Sequence, residues 1–334
     1  MTRYIVIGNK SKNKTSEVLW GDLKKNRNVE CLKDSYISNF FIYLIYRVCM
    51  SRKVRSVVPF VRKFACLYYS LKYVKFNKNE DYTIILSAHA TRKMESWYLM
   101  GLKKKYNIKY VLVLLDPLAK SSDVDIEHQI ADKHYDAVFS FDQEDCKKYG
   151  FHFFEQLYSG SEFEKKQELP VISYDIYFAG RNKGRAGLIY EFLKFPKLRS
   201  FFRLSEFEKK NMIKSKNVKY TKMIPYKRLI PEILSSNCLL ELLQPGQVGI
   251  TWRYCEAVLY NKKLLTSNKN VVNTAFYNPN YMHIIDLENI EESIKKEIEW
   301  IREVEPVDYN YDGRYSPKNI LERIEKTVFV EKNK

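Results

Sequence analysis

Tyr110-Val111-Leu112-Val113-Leu114-Leu115-Asp116-Pro117 is the stretch on which the fold class turns. Its apolar run is unbroken, without the polar–apolar alternation of a strand that has one wet face. Such a run suits a strand covered by helices on both sides, as in a parallel sheet. Asp116-Pro117 ends it, because proline lacks the N–H that a ladder needs and presets a turn.

Working outward, Tyr82–Ser87 reads as a strand and Arg92–Lys105 has helical spacing. Downstream come a helix over Ile126–His134, a strand over Ala137–Phe141, and Asp142 as N-cap of a short helix ending near Gly150. The chain opens on a strand, Tyr4–Gly8, and a helix, Thr15–Lys25. Ser159–Leu169 is polar, is closed by Pro170, and reads as a linker. A second series then begins with the strand Asp175–Ala179, the turn at Gly180 and a helix over Gly187–Leu193. Further strands are expected at Val218–Tyr220, Cys238–Leu243, Lys263–Thr266 and His283–Asp286. Helices are expected at Pro225–Ser235, Trp252–Tyr260, Ile290–Val304 and Pro317–Thr327, the last capped by Ser316 with proline at its first position. This alternation predicts an α/β protein with two Rossmann-like domains, parallel sheets and a central cleft between them. The expected boundaries are 1–158, 170–315, and a C-terminal helix in 316–334 that crosses back to the first domain.

With 57 Lys plus Arg against 40 Asp plus Glu in 334 residues, the net charge is +17. That excess suggests a polyanionic partner: nucleic acid, anionic lipid or a phosphate-bearing substrate. None of the six cysteines forms a C-x-x-C pair, which argues against a zinc ribbon and fits reduced, intracellular thiols. No stretch approaches the ~20 apolar residues that span a bilayer. The opening residues read as a strand rather than a signal peptide. The histidines have no metal-ligand spacing, and no metal is expected.

Two stretches carry groups suited to phosphate. Phe178-Ala179-Gly180-Arg181-Asn182-Lys183-Gly184-Arg185 begins at a strand end, where open α/β sheets place ligands. Its glycines allow close backbone approach, its cations match a diphosphate, and the following helix offers an N-terminus. The plain alternative is a solvated basic turn. Glu241 to Ala257 runs from a buried strand through Gln244, Gly246, Gln247 and Gly249 into a helix beginning near Thr251, with Arg253 and Glu256 in its first turns. A carboxylate at Glu256 suits ribose hydroxyls; the plain alternative is an ion pair with Lys262 or Lys263.

The succession Gly-Arg–Lys, then Gly-Gln-Val-Gly-Ile-Thr-Trp-Arg-Tyr-Cys-Glu-Ala, then Lys-Lys-Leu-Leu-Thr-Ser-Asn resembles the C-terminal half of GT-B bacterial lipopolysaccharide and capsule glycosyltransferases. A weaker likeness reaches Tyr135–Ser159, Phe276-Tyr277-Asn278 and Tyr315-Ser316-Pro317. The resemblance implies that the C-terminal domain binds a nucleotide-diphosphate sugar as co-substrate and the N-terminal domain binds the acceptor. Gly180, Arg181, Lys183, Arg185, Gly249, Thr251 and Arg253 would then meet the donor diphosphate. Glu256, Gln244 and Gln247 would meet ribose and sugar. Many retaining relatives carry a second glutamate eight positions before the first; here that position is Val248. Retention or inversion therefore stays open. An inverting enzyme needs a base for the acceptor hydroxyl. His89 and Asp116 stand at the ends of predicted strands, each with a plain alternative as a turn residue. No cofactor is implied. Transfer of a phosphate-bearing group on the same scaffold is a further alternative.

Ser35–Asn79 contains nine cations and not one acidic residue, interleaved with aromatic and aliphatic residues as two basic amphipathic helices meeting near Pro59. Three readings stand: a core helix pair with a cationic outer face, a nucleic-acid surface, or a surface that lies on an anionic membrane. With the resemblance, the third places the protein in the cytoplasm, peripheral at the inner face of the plasma membrane, with a lipid-linked or lipopolysaccharide acceptor and no nucleic acid. The competing reading is a basic nucleic-acid-binding α/β protein.

Overall fold

The structure is a computed structural model that describes residues 2–8, 15–33, 37, 39–49, 51, 54, 57–91, 94–118, 124–131, 134–160, 170–207, 212–222, 224–244 and 249–330. Most of the expected linker, together with Asn9 and Gln247, lies outside these residues.

The chain forms two compact units, one from 1–11, 16–159 and 316–334, the other from 12–15 and 160–315. The first holds strands β1 (Arg3–Gly8), β2 (Val29–Lys33), β3 (Tyr82–Ser87), β4 (Ile108–Leu114), β5 (Ala137–Ser140) and β6 (His152–Phe153). They lie in the order β2-β1-β3-β4-β5-β6, all parallel. The apolar run of β4 sits at the sheet's centre and, from Tyr110 on, is wholly buried. The second unit holds β7 (Tyr174–Arg181), β8 (Ser200–Ser205), β9 (Val218–Tyr220), β10 (Ser236–Glu241), β11 (Lys263–Thr266) and β12 (Met282–Ile284). Their order is β12-β11-β10-β7-β8-β9, again all parallel.

Local chemistry accounts for several ends. Asp142 caps the helix Gln143–Tyr149 by accepting from the Asp145 amide, and Gly150 closes it at φ 69°, in the left-handed region that glycine enters freely. Ser316 caps Pro317–Glu325 and donates to Asp22 Oδ2 at 2.6 Å. Pro317, Ile320, Leu321 and Ile324 of that helix are buried, so the last segment completes the first unit.

The structure departs from the sequence reading at several elements. β2, β6 and β8 were not expected. β8 carries Arg203 at its centre, and a mid-strand arginine reads as exposed; here it is buried and paired with Glu232, which also accepts from Tyr177 Oη at 2.8 Å. The expected helix Pro225–Ser235 is a 3-10 turn, Tyr226–Arg228, and a short helix, Ile230–Leu234. The expected helix Arg92–Lys105 begins only at Ser96, and a separate short helix, Ala88–Thr91, precedes it directly after β3. In the basic segment, Phe40–Cys49 is α-helical, but Pro59–Tyr68 is a 3-10 helix.

Candidate functional site in the second sheet

Sheet order locates the crevice. β7 has β8 on one side and β10 on the other, so the chain leaves the centre of this sheet in both directions. At such a reversal, neighbouring connections pass to opposite faces and leave a gap beyond the carboxyl ends of the two strands. The loops after β7 and β10 border that gap, and they are the two phosphate-suited stretches.

After β7 the chain makes a tight turn. Asn182 Oδ1 accepts from the Ala186 amide at 3.0 Å, the Arg185 amide donates to the Asn182 carbonyl at 2.7 Å, and helix Ala186–Leu193 follows. Lys183 stands at φ 39° and Gly184 at φ 84°, so this turn holds a lysine in a conformation that L-residues rarely adopt. A Cβ at Gly180 would meet the Phe178 ring at 2.9 Å, so a larger residue there would force that ring to move.

The cations are not equivalent. Lys183 is exposed and donates to Gln244 Oε1 at 3.2 Å, tying the loop after β7 to the loop after β10. Arg181 pairs with Glu206 at 3.1 Å. Arg185 donates through Nε to the Leu242 carbonyl at 2.8 Å and through Nη1 to the Arg181 carbonyl at 3.0 Å. Arg253 is largely buried, pairs with Glu256, donates to the Ala179 carbonyl at 2.9 Å, and lies 5.5 Å from the Tyr177 ring centre. Glu256 is 1% exposed. Neither Lys262 nor Lys263 is its partner: Lys262 Nζ donates to the Leu234 carbonyl, and Lys263 pairs with Glu305. Burial pushes the Glu256 carboxyl well above its ordinary range.

Sequence reasoning missed Glu241, the last residue of β10. It is 2% exposed, and its two carboxyl oxygens accept from the hydroxyls of Thr251 and Thr266. Thr251 Oγ1 in turn accepts from the amides of Arg253 and Tyr254, capping helix Trp252–Leu259. Thr266 Oγ1 accepts from the Asn268 amide at 2.9 Å. Glu241 thus fastens the helix N-terminus to the loop after β11. Burial raises its pKa, against the opposing effects of the two hydroxyl bonds, Arg253 and Arg185. The available signal was a carboxylate inside an otherwise apolar strand. Gly249 lies two residues before the cap and is partly exposed.

In the first sheet the reversal falls between β1 and β3. Gly8 ends β1, and His89 lies in helix Ala88–Thr91, directly after β3. Asp116 is exposed, just after β4. Among the described residues, no group of three or more His, Cys, Asp or Glu is placed to hold a metal ion.

No protein-family model matches the sequence, and no curated protein matches it significantly. Solved structures share its fold. An α-glucosyltransferase in complex with UDP and a 13-mer DNA aligns over 98% of this chain and 99% of its own, with TM-score 0.65 and 12% identity. Anabaena Alr3699/HepE in complex with UDP and glucose aligns over 98% and 99%, with TM-score 0.54 and 12% identity. A UDP-GlcNAc 2-epimerase of Methanocaldococcus jannaschii, in complex with UDP-GlcNAc and UDP, aligns over 97% and 99%, with TM-score 0.50 and 11% identity. The two parallel sheets are those of the GT-B architecture.

Proposed function

We propose that this chain is a glycosyltransferase that moves a sugar from a nucleotide-diphosphate donor to a hydroxyl of a lipid-linked, lipopolysaccharide or capsule glycan. One observation carries the donor half of this reading. Both stretches that suit phosphate border the single strand-order reversal of the second sheet, where nucleotides bind in open α/β folds. The exposed ammonium of Lys183 and the N-terminus of helix Trp252–Leu259 would take the diphosphate. Arg185 and Arg253, held by carbonyls and by Glu256, would supply fixed positive potential as the diphosphate leaves. Thr251 would act by shaping that helix N-terminus, because its hydroxyl already donates to Glu241 and accepts from the Arg253 and Tyr254 amides. Glu256 would reach a ribose only by releasing Arg253, so its first role in this reading is to orient that guanidinium. His89 and Asp116 remain the proposed bases on the acceptor side.

A second reading keeps the donor site and exchanges the acceptor. The α-glucosyltransferase structure contains DNA, and this chain carries a net charge of +17. Epimerases also share the fold, so release of the nucleoside diphosphate from a nucleotide sugar only when a glycan acceptor is present tests transfer, and nucleotide binding tests the donor site.

A thermal-shift panel of UDP, GDP, CDP and ADP tests the donor site. A ligand at about a hundredfold its Kd should add about 2.7 kcal/mol. One nucleotide is expected to stabilise the protein, with a weaker response in Lys183→Ala, whose exposed side chain can be removed without opening the core. If no nucleotide stabilises it and duplex DNA binds with steep salt dependence, the reading is wrong.

A further inference from the structure

Helix Phe40–Cys49 presents its apolar side chains to solvent. Phe40 is 71% and Phe41 73% exposed, and Leu44, Ile45 and Val48 are exposed with them. At about 100° per residue these five form one stripe roughly 140° wide. Tyr46 and Cys49 are the buried pair that seats the helix: Tyr46 points away from the stripe, and Cys49 borders it beside Ile45. Tyr46 meets the Tyr68 ring edge-on at 5.9 Å and thereby joins the helix to Pro59–Tyr68, which adds exposed Phe60 and Phe64. A core role accounts for Tyr46 and Cys49 and, among the described residues, leaves the outer stripe exposed.

Charge selects the occupant. Arg47, Lys63, Lys72, Lys75 and Lys78 are exposed in the same segment, and residues 35–79 contain no carboxylate. A second copy would bring cations against cations. Nucleic acid would satisfy the cations but offers nothing to Leu44, Ile45 and Val48, which have neither a π-face for stacking nor a hydrogen bond to give. A bilayer containing anionic lipid satisfies both, with headgroups at the cations and acyl chains at the stripe. The helix is too short to cross: ten residues rise about 15 Å against a hydrocarbon core of about 30 Å. Among the described residues no helix is long and apolar enough to span.

We infer that helix Phe40–Cys49 inserts its outer stripe into the interface of an anionic membrane, so that apolar burial and headgroup attraction hold the first unit together on the surface. The inference concerns that unit alone and stands whether or not the second unit binds a nucleotide.

Co-sedimentation of the full chain with phosphatidylglycerol–phosphatidylcholine vesicles, and with pure phosphatidylcholine vesicles, tests it. The wild type is expected to pellet with the mixed vesicles and largely to stay in solution with the neutral ones. Phe41→Gln/Leu44→Gln/Ile45→Gln changes only exposed positions to a good helix former. It should lower partitioning about tenfold or more at both low and high salt. Lys72→Glu/Lys75→Glu should lose binding mainly at low salt. The inference is overturned if the wild type ignores anionic vesicles, or if the triple variant pellets like the wild type. It is equally overturned if the triple variant instead loses duplex DNA binding or self-association while vesicle binding persists. An unchanged thermal response of the triple variant to nucleotide keeps this result separate from the donor site.

Discussion

Beside the strand-order reversal of the second sheet, the charged groups are locked to one another. Arg253 is held by Glu256 and a carbonyl, Arg185 by two carbonyls, and Thr251 and Thr266 by Glu241. The first sheet has its own reversal, between β1 and β3, yet that unit's most unusual chemistry lies in the excursion between β2 and β3. There, apolar side chains face outward among cations. The contrast is one of preorganisation. A small, densely charged ligand needs groups fixed before it arrives, because ordering them on binding would cost affinity. A fluid surface tolerates groups that are merely exposed.

The hardest way to break the comparison is to remove the segment that completes the first unit. Ending the chain at Tyr315 deletes a helix that buries Pro317, Ile320, Leu321 and Ile324, the three aliphatic side chains each worth about 1.5–3 kcal/mol, an upper range because unfolded chains are partly compact. Limited proteolysis should then cut freely within 16–159 while 160–315 stays protected. Uniform resistance would show that the two units do not differ in this way.

Next comes the locked pair. Arg253→Ala leaves Glu256 buried without its partner and should cost about 3–5 kcal/mol, whereas Arg253→Met/Glu256→Met should cost much less. Urea denaturation of the three proteins measures both. Equal losses would mean that the pair is not an isolated charged unit.

Glu241→Gln sharpens the contrast through pH. Burial raises the folded-state pKa above the ordinary 4.5, so the folded state favours the protonated carboxyl. Its contribution is complete below the unfolded pKa and is lost as pH rises through the folded value. The stability gap between wild type and Glu241→Gln should therefore favour the wild type most in acid and narrow toward neutrality. A gap that widens with pH would reverse the assignment.

The smallest effect belongs to Lys183. Replacing it with glycine relieves a left-handed backbone and should stabilise by about 0.5–1 kcal/mol, while nucleotide binding weakens with the loss of the ammonium. Stability and binding that move together would mean that the lysine serves the turn alone.

Fold class was legible because the run from Tyr110 to Leu115 is apolar without a break, and burial on both faces needs no long-range knowledge. β2 was hidden by Glu30 and Lys33, whose spacing of three breaks a strand's period of two, and β8 by Arg203, whose partner Glu232 lies 29 residues away. Strand order was not legible at all, since pairing β7 with β10 joins residues some sixty apart. The same limit shaped the site. The glycines and cations after β7 announced a turn suited to anions. The grip of Glu241 on Thr266 spans 25 residues and emerges only when β10 and β11 lie side by side.

The clasp between Ser316 and Asp22 also bears on how the molecule is made. Ribosomes deliver the second unit's last residue, Tyr315, before the helix that finishes the first. The first unit must therefore wait, unfinished, through the synthesis of everything after Ser159.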